Sequence, residues 1–434
     1  MKATRTTQRE LILQAMTQLM AVNGYAQTTV AQLTREAGVS RTMFYEQFKD
    51  KQDCFIAAHA PLAERLGAEV ERAVGAGEES EAAQSAIAAL VGFAEREPGA
   101  FALATHEAML AGPRGWQARE ELLERLRSAI EGAWERAGEE SAVPDIPAML
   151  LLGGSIRLLG LHMRRGEREH AQLLDGLMEW LAIYLAPNRA SRFRELEPRA
   201  APCASKPEVA AGMAVPLPPP KGRHRRPAAE VGAVQRERIL HAAAEVVRAR
   251  KDVSVSVAEI VAAAGVSRET FYTHFHDKTE ALLGAQALTY EQMIGVCTSV
   301  FYNSSATWPE RFWETGEAFT RFIVGSPALL YLSFVQSYAL GPEGVKRIDD
   351  GAWAFSHLLH AGYRASNPDI HQSVLEALIC AMTEPIAHQI RHDRAGDVRG
   401  QMPVLFYMVM APLMGREAAG ELAEGKVGGA SGAG

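Results

Sequence analysis

The amino-acid sequence predicts an all-α fold, and two observations carry that prediction. Apolar residues recur at i, i+3, i+4 and i+7 along most of the 434-residue chain, the spacing of helices with one buried face. No stretch alternates apolar and polar residues between hairpin turns, so we expect no sheet of any size. An internal repeat then gives the order of the elements.

The repeat aligns residues 9–53 with 236–280 without a gap, at a constant offset of 227 and with 17 identities in 45 positions. A second match, LAIYLAP at 181–187 against FYMVMAP at 406–412, has an offset of 225. A weaker echo at an offset of 229 lies between them and pairs Pro98 with Pro327, Leu103 with Leu332, Gly112 with Gly341, Pro113 with Pro342, and Gly115 with Gly344. The chain is therefore predicted to consist of two similar halves.

The halves are separated by residues 198–227, which hold eight prolines and are typical of an extended or disordered linker. After about residue 415 the sequence is rich in Gly and Ala and has little to bury, so we expect a disordered tail. The predicted division is 1–57 and 229–283 for the repeated segment, 58–187 and 284–415 for the helical domain behind each copy, 188–228 for the linker, and 416–434 for the tail.

Composition excludes several classes of protein. The longest apolar run, Val404–Met414, is broken by Pro412 and is shorter than the roughly 20 residues of a membrane-spanning helix. The N-terminus lacks a secretory signal, so we expect a cytoplasmic protein without a membrane segment. The net charge of −7 disfavours nonspecific adhesion to nucleic acid, so any DNA contact has to be local.

Four sequence motifs that mark common nucleotide-binding and hydrolytic sites are absent. The sequence has no P-loop, no G-x-G-x-x-G, no HExxH and no G-x-S-x-G, and His106-Glu107 lacks the second histidine of a zinc protease. We therefore expect no enzyme, no cofactor and no metal. The cysteines form no CxxC pair and are expected to be ordinary reduced thiols, namely Cys54, Cys203, Cys297 and Cys380.

The first helix of each copy is predicted from its apolar face. The second helix begins at a capping box, Thr29 to Gln32 or Ser256 to Glu259. It ends at a glycine that can adopt positive φ, Gly38 or Gly265. The face of the first helix consists of Ile12, Ala15, Met16, Leu19 and Met20 in one copy and of Ile239, Ala242, Ala243, Val246 and Val247 in the other.

The third helix follows within a few residues, with Ser40 or Ser267 as its N-cap. It reads RTMFYEQF from Arg41 and RETFYTHF from Arg268. Its length of about 12 Å fits a DNA major groove about 12 Å wide. Asp50 and Asp277 are then expected to cap a fourth helix whose first turn carries a lysine, an arrangement suited to a phosphate.

The pattern from the second helix to this lysine, which reads T-T-V-x-x-L-x-x-x-A-G-V-S-x-x-x-F-Y-x-x-F-x-x-K in the first copy, resembles the DNA-binding domain of the tetracycline-repressor (TetR) family. The resemblance covers about 45 residues in each half. It implies two helix-turn-helix domains, each followed by a helical domain for ligand binding and dimerisation. It also implies a repressor that releases DNA when a small molecule binds.

The resemblance also implies roles for single residues. Thr29 and Ser256 would cap the second helix and contact phosphate, and Ser40 and Ser267 would begin the third. The residues that would face base edges are Arg41, Thr42 and Met43 in the first copy and Arg268, Glu269 and Thr270 in the second. The residues that would hold phosphates are Tyr45, Gln47 and Lys51, with Tyr272, His274 and Lys278. The first copy departs from the family pattern at Met43, where threonine is common, and at Gln47, where histidine or tyrosine is common.

The helical domains contain aromatic and histidine side chains that are either core residues or contacts of a small-molecule effector. The candidates for ligand contact are Trp116, His162, Phe334, Tyr338 and His388. The expected partners are double-stranded DNA and an unknown effector, in a chain that forms an internal pseudo-dimer or a homodimer. The basic segment at 221–227 is either a solvated linker or a DNA-contacting arm. The alternative function is a small-molecule-binding or interaction protein in which one or both modules are vestigial.

Overall fold

A computed structural model of the chain describes residues 7–167, 170–190, 193–194, 228–366 and 370–429. These residues are almost entirely helical, so the predicted all-α fold is confirmed. They divide into two compact units, and each unit contains one copy of the repeated segment.

The first unit contains the described residues up to 194 together with residues 370–384 and 414–417. Two three-residue strands, β1 (Ala142–Pro144) and β2 (Leu185–Pro187), pair antiparallel and are the one sheet of the described part of the chain. The helices are α1 (Gln8–Gln27), α2 (Val30–Glu36), α3 (Arg41–Gln47), α4 (Lys51–Ala76), α5 (Ala82–Arg96), α6 (Pro98–Ala104), α7 (His106–Leu110), α8 (Gly112–Arg136), α9 (Ala148–Arg165) and α10 (His170–Ala182).

The second unit repeats this order from residue 228. A π-helical turn at Tyr331–Val335 and a 3₁₀ turn at Ser337–Leu340 lie in its middle. Helix α18 contributes its residues up to Glu384 to the first unit. The remaining helices are α11 (Ala228–Arg250), α12 (Val257–Ala264), α13 (Arg268–His274), α14 (Lys278–Asn303), α15 (Trp308–Gly325), α16 (Pro327–Leu330), α17 (Pro342–Ser366), α18 (Gln372–Arg391), α19 (Val398–Met414) and α20 (Arg416–Gly429).

Each unit has an aromatic core in which a large buried ring makes a hydrogen bond. In the first unit, the indole N–H of Trp180 donates to the hydroxyl of Tyr184 at 3.2 Å, and both side chains are fully buried. In the second, the buried hydroxyl of Tyr363 donates to the carbonyl of Val409 at 2.7 Å. These bonds let large amphipathic rings fill the core without an unpaired hydroxyl.

The echo at an offset of 229 has a backbone counterpart in both units. Gly112 and Gly341 both have positive φ, at 72° and 81°. A Cβ atom at Gly115 would lie 2.0 Å from the carbonyl oxygen of Ala108, and one at Gly344 would lie 2.4 Å from that of Ser337. The same close helix contact therefore recurs, which indicates that the helical segment behind each copy is duplicated together with the repeated segment.

Three features differ from the sequence-based predictions. The disordered tail predicted after residue 415 is wrong for residues 416–429, which form α20 and bury Ala419 and Ala423, four residues apart on one face. The match of 181–187 to 406–412 is also wrong as a structural equivalence, because the first segment ends in strand β2 and the second lies within α19.

The third difference concerns the linker, predicted to begin at residue 188. Residues 188–190 form a 3₁₀ turn, and the Asn188 amide donates to the carbonyl of Trp134 at 2.8 Å. The start of this segment is therefore packed against α8. The proline-rich segment 198–227, its basic end 221–227, Cys203 and the end of the tail at 430–434 lie outside the described residues.

Within the described ranges, no single helix is both long and apolar enough to cross a bilayer. One pair of segments, α15 with residues 327–335, passes the same test by length and composition, but it is bent by 98°.

Candidate nucleic-acid interface

The helix-turn-helix of the first copy is held by hydrogen bonds at two helix starts. The hydroxyl of Thr29 accepts from the backbone N–H of Gln32 at 3.2 Å, and the Gln32 amide oxygen accepts from the N–H of Thr29 at 2.8 Å. Gly38 turns the chain with φ 65°. Ser40 then accepts from the N–H of Met43 at 3.1 Å and starts α3. The predicted capping box, glycine turn and N-cap are confirmed.

The second copy is built in the same way. Ser256 and Glu259 form the capping box, with the Glu259 carboxylate accepting from the Ser256 N–H at 2.8 Å. Gly265 turns the chain with φ 62°. The hydroxyl of Ser267 accepts from the N–H of Thr270 at 3.0 Å and starts α13. The two modules therefore share one backbone design.

Helix α3 presents one polar face and buries the other. Phe44 and Phe48 lie in the core of the module, at 0% and 2% exposure. The ring of Phe44 packs edge-on against that of Tyr45, with 5.3 Å between the ring centroids. This contact restricts the orientation of the exposed Tyr45 side chain. The solvent-facing residues are Arg41, Thr42, Tyr45 and Gln47, with Met43 half-buried between them. Each base-reading or phosphate-holding candidate on α3 is thus accessible to a duplex.

Helix α13 has the same division, with Phe271 and Phe275 buried. The guanidinium of Arg268 lies over the ring of Tyr272, 5.7 Å from its centroid, a contact that orients an otherwise exposed arginine. Partial burial, followed by the charge of nearby Arg236, lowers the pKa of His274 from its ordinary value. The exposed face consists of Arg268, Glu269 and Tyr272, with Thr270 and His274 half-buried.

Lys51 differs from its predicted environment. Its ammonium donates to the backbone carbonyls of Tyr25 at 2.9 Å and Thr28 at 3.0 Å, and it stands 3.9 Å from the centroid of the Tyr25 ring. Burial lowers the pKa of Lys51. The lysine therefore satisfies the carbonyls at the end of α1, which leaves fewer donor protons for the phosphate contact predicted from the sequence.

Lys278, the equivalent residue, is half-buried and has no hydrogen bond or ion pair within the described ranges. Its module lacks the ring that Tyr25 supplies, because Asp252 occupies that place in the repeat. The ammonium of Lys278 is accordingly better placed than that of Lys51 to meet a phosphate.

Two further arginines belong to these surfaces and were missed by the sequence-based prediction. Arg9 lies 5.1 Å from the ring centroid of Phe48, and Arg236 lies 5.4 Å from that of Phe275. Both are exposed, and both add positive charge, Arg9 at the C-terminal end of α3 and Arg236 at that of α13. Their identity across the repeat was the signal that could have identified them.

The five candidate ligand residues lie in different surroundings. His162 lies between two carboxylates, 2.8 Å from Glu167 and 3.3 Å from Glu376. Trp116 and Tyr338 are core residues, each 3% exposed, whereas Phe334 and His388 are half-buried. None of the five lines the two surface grooves of about 420 and 490 Å³, of which one lies between α1 and α4 and the other includes Trp313, Arg321 and Arg399. Their assignment to an effector stays a prediction.

Comparison with known proteins adds a family match. The model for bacterial regulatory proteins of the tetR family matches residues 12–58 and again 239–285. The similar solved structures include a regulatory protein in the tetR family from Rhodococcus RHA1, with 22% identity and a TM-score of 0.34, covering 40% of this chain and 96% of that one. They also include the transcriptional regulator FadR from Bacillus subtilis in complex with stearoyl-CoA, with 19% identity and a TM-score of 0.33, covering 39% of this chain and 96% of that one. No curated protein matches the chain.

Proposed function

Because the chain belongs to the TetR family of bacterial regulatory proteins and carries its N-terminal domain twice, at 12–58 and 239–285, we propose that it is a sequence-specific repressor that reads two unlike half-sites. The observation that carries this proposal is that α3 and α13, the recognition helices in this proposal, each follow a capped turn and expose a face that begins with an arginine. In the proposed role, Arg41 and Arg268 contact base edges, and the tyrosines and Lys278 hold phosphates. Such a regulator acts in the cytoplasm and is not an enzyme.

The operator is proposed to be asymmetric. At equivalent positions, α3 carries Thr42, Met43 and Gln47 whereas α13 carries Glu269, Thr270 and His274. A carboxylate at 269 either accepts from a cytosine amine or repels phosphate, whereas the neutral hydroxyl of Thr42 can donate as well as accept and does not repel phosphate. Two different recognition faces in one chain therefore favour two different half-sites over a palindrome.

We further propose that one chain supplies both halves of the DNA-binding particle as an internal pseudo-dimer. Support comes from the first unit, in which residues 370–384 of the second half of the sequence pack against helices of the first half. The carboxylate of Glu384 pairs there with Arg119, at 2.6 and 3.1 Å, with both side chains buried. Cβ atoms at Gly154 and Gly176 would lie within about 3 Å of this segment, so its fit is close.

Arginine substitution tests the base-reading role. Arg41→Ala and Arg268→Ala are each expected to weaken binding to the selected site by about 1 to 3 kcal/mol and to relax specificity at one position. Arg72→Ala, an exposed arginine on α4, is the matched control and is expected to leave binding unchanged. Affinities are measured on oligonucleotides selected by the wild-type chain and on random duplexes. Equal losses on both kinds of DNA would refute base reading.

Footprinting and solution mass test the assembly. A single chain bound across an asymmetric site is the expected result, and a perfect inverted repeat bound by two chains would contradict the pseudo-dimer. Effector control is tested by a small-molecule screen for release of the selected DNA, in which release at constant salt is expected. Because phosphate contacts alone also weaken with salt, ionic strength is held fixed throughout.

A further inference from the structure

In the first unit, Glu107 joins the DNA-binding module to the helical domain behind it (58–187), called the regulatory domain below, at the end of α1. The carboxylate of Glu107, on α7, accepts from the backbone N–H of Tyr25 at 2.8 Å. The preceding residue, Gly24, has φ 68°, and a Cβ atom there would lie 3.4 Å from the same carboxylate oxygen. Both the backbone conformation and the close approach therefore favour glycine at this position.

The second unit has a joint at the equivalent place. Gln336 lies 229 residues after Glu107, the offset that also relates Gly112 to Gly341. Its amide donates to the backbone carbonyl of Lys251 at 3.1 Å, and its side chain is 3% exposed. Lys251 is the repeat equivalent of Gly24 and also has positive φ, at 57°.

The direction of the hydrogen bond is reversed between the two joints. A carboxylate can only accept, and its partner at Tyr25 is an N–H donor. A backbone carbonyl can also only accept, so the end of Gln336 that faces Lys251 has to be the NH₂ group. The same structural position thus requires an acceptor in one half and a donor in the other.

On the basis of the function proposed above, we propose that Glu107 and Gln336 are equivalent positioning residues that hold the two DNA-binding modules to their regulatory domains with opposite hydrogen-bond polarity. Each fixes the backbone between the first helix and the helix-turn-helix, and so sets the orientation in which α3 or α13 meets the duplex. Neither residue contacts DNA itself.

The surroundings of each joint agree with this polarity. Beside Glu107, the ammonium of Lys51 donates to the carbonyls of Tyr25 and Thr28, so the carbonyls of that turn are already satisfied and its N–H needs an acceptor. In the second unit, Lys278 donates no corresponding hydrogen bond among the described residues.

At the second joint, the negative charge is on Asp393 and not on the residue equivalent to Glu107. Asp393, just after α18, pairs with Lys251 at 2.5 Å and with Arg248 at 3.2 Å. A glutamate in place of Gln336 would face the Lys251 carbonyl with a carboxylate that has no proton to donate. It would also add negative charge to a joint that already contains Asp393.

Isosteric exchange at the two positions distinguishes polarity from packing. Glu107→Gln keeps an acceptor oxygen, so we expect unchanged hydrogen-exchange protection at residues 24–28 and half-site affinity within about twofold of wild type. Gln336→Glu loses the donor, so we expect faster exchange at residues 250–255 and at least a tenfold loss of affinity for the second half-site. The probes are the two half-site duplexes from the selection described above, and the protein is the full chain.

Two further variants keep the test decisive. Gln336→Met removes the donor without adding charge; it is expected to speed exchange at 250–255 while the melting temperature of the chain is retained, so misfolding of Gln336→Glu would not obscure the result. Glu107→Ala is expected to expose the Tyr25 amide, with the untouched module as internal control in each case. Equal effects of the two isosteric exchanges, or full protection in Gln336→Met, would overturn the proposal. If the wild-type chain bound neither half-site, the proposed function would fail, whereas the exchange data would still decide the joint.

Discussion

Single residues make the two modules unlike where their backbones are alike. Each recognition helix starts at a serine N-cap and buries two phenylalanines, yet the exposed positions between these fixed points differ in charge and in hydrogen-bonding capacity. The lysine at the start of the following helix differs as well, since Lys51 is bonded to two carbonyls and Lys278 is not. Shared backbone geometry with different surface chemistry is what the proposed pair of unlike half-sites would require.

The two lysines are predicted to fail in different ways when replaced. Lys51→Ala leaves the carbonyls of Tyr25 and Thr28 without their donor, and should destabilise the first module by about 1 to 3 kcal/mol. Lys278→Ala should leave stability unchanged, weaken all duplexes alike and reduce the salt slope of binding by about 1. Urea unfolding and salt titrations of both variants measure the contrast. A reduced salt slope in Lys51→Ala, with stability intact, would contradict the structural role.

His274 is predicted to make binding of the second half-site depend on pH. Its pKa in the free chain lies below the ordinary 6.5, because partial burial and Arg236 disfavour the charged ring. A phosphate beside the ring favours the charged form, so binding takes up a proton and affinity rises as the pH falls through the pKa of the complex. Each unit of pKa difference between free and bound states is worth about tenfold in affinity.

The affinity for the second half-site, measured by fluorescence anisotropy from about pH 5 to about pH 8, checks this expectation, because that range brackets the ordinary histidine pKa. His274→Gln should remove the dependence, and the first half-site, where Gln47 occupies the place, should lack it in the same chain. A pH profile that His274→Gln leaves unaltered would assign the proton to another group.

Whole elements are positioned by close contacts that the repeat preserves. Gly115 in α8 and Gly344 in α17 each lie against the carbonyl of a residue seven positions earlier. The contact brings the long helix of each regulatory domain onto the short turn that carries Glu107 or Gln336. A helix crossing at this distance is possible only without a Cβ atom.

Alanine at these glycines should disrupt both regulatory domains. Gly115→Ala and Gly344→Ala place a Cβ atom 2.0 and 2.4 Å from a carbonyl oxygen. We therefore expect each change to lower the free energy of unfolding by about 1 to 3 kcal/mol. Gly295→Ala, exposed in the middle of α14 with no atom within 4 Å, is the matched control and should stabilise by about 0.5 to 1 kcal/mol. Chemical denaturation of the three variants compares them. Similar stability for all three would show that the backbone relaxes around the new methyl groups.

The sequence predicted those elements whose information is local. Capping boxes, glycine turns and apolar faces depend on residues within one or two turns, and all of them are confirmed in both modules. Helix α20 was missed because its stability comes from burying Ala419 and Ala423 against the rest of the fold, and a Gly/Ala-rich composition does not reveal a tertiary partner. Residues 181–187 were misassigned for the same reason, since strand β2 depends on pairing with β1 some forty residues earlier.

The candidate site was predictable to a similar degree. The exposed faces of α3 and α13 follow from the motif, but the bonds of Lys51 depend on Tyr25, which has no counterpart in the second copy. The joints at Glu107 and Gln336 combine residues 82 and 85 positions apart, a separation at which no periodicity carries a signal.

At the scale of the whole molecule, the halves of the sequence are not the units of the structure. The first unit is completed by residues 370–384, and the pair of Arg119 with Glu384 is buried within it. A charge pair that is removed from water is costly to break on one side only, because the remaining partner stays buried. This contact therefore ties the stability of the first unit to the second half of the chain.

Glu384→Ala should destabilise the first unit by about 3 to 5 kcal/mol, since Arg119 remains buried beside it. Glu71→Ala, which removes an exposed partner of Arg125, is the surface control and should cost less than about 1 kcal/mol. Hydrogen exchange of α8 reports the first unit separately from the second. If α8 were equally protected in both variants, the buried pair would contribute little.

Residues 370–384 are synthesised long after the rest of the first unit, and this delay constrains when the first unit can finish folding. Some 190 residues are translated between the end of the first half and Glu384. At about 5 to 20 residues per second, a ribosome needs about 10 to 40 s to cover that distance. For that interval the nascent first unit exposes the surfaces that Glu384 and its neighbours later cover, and exposed surfaces of this kind favour aggregation until residues 370–384 are synthesised.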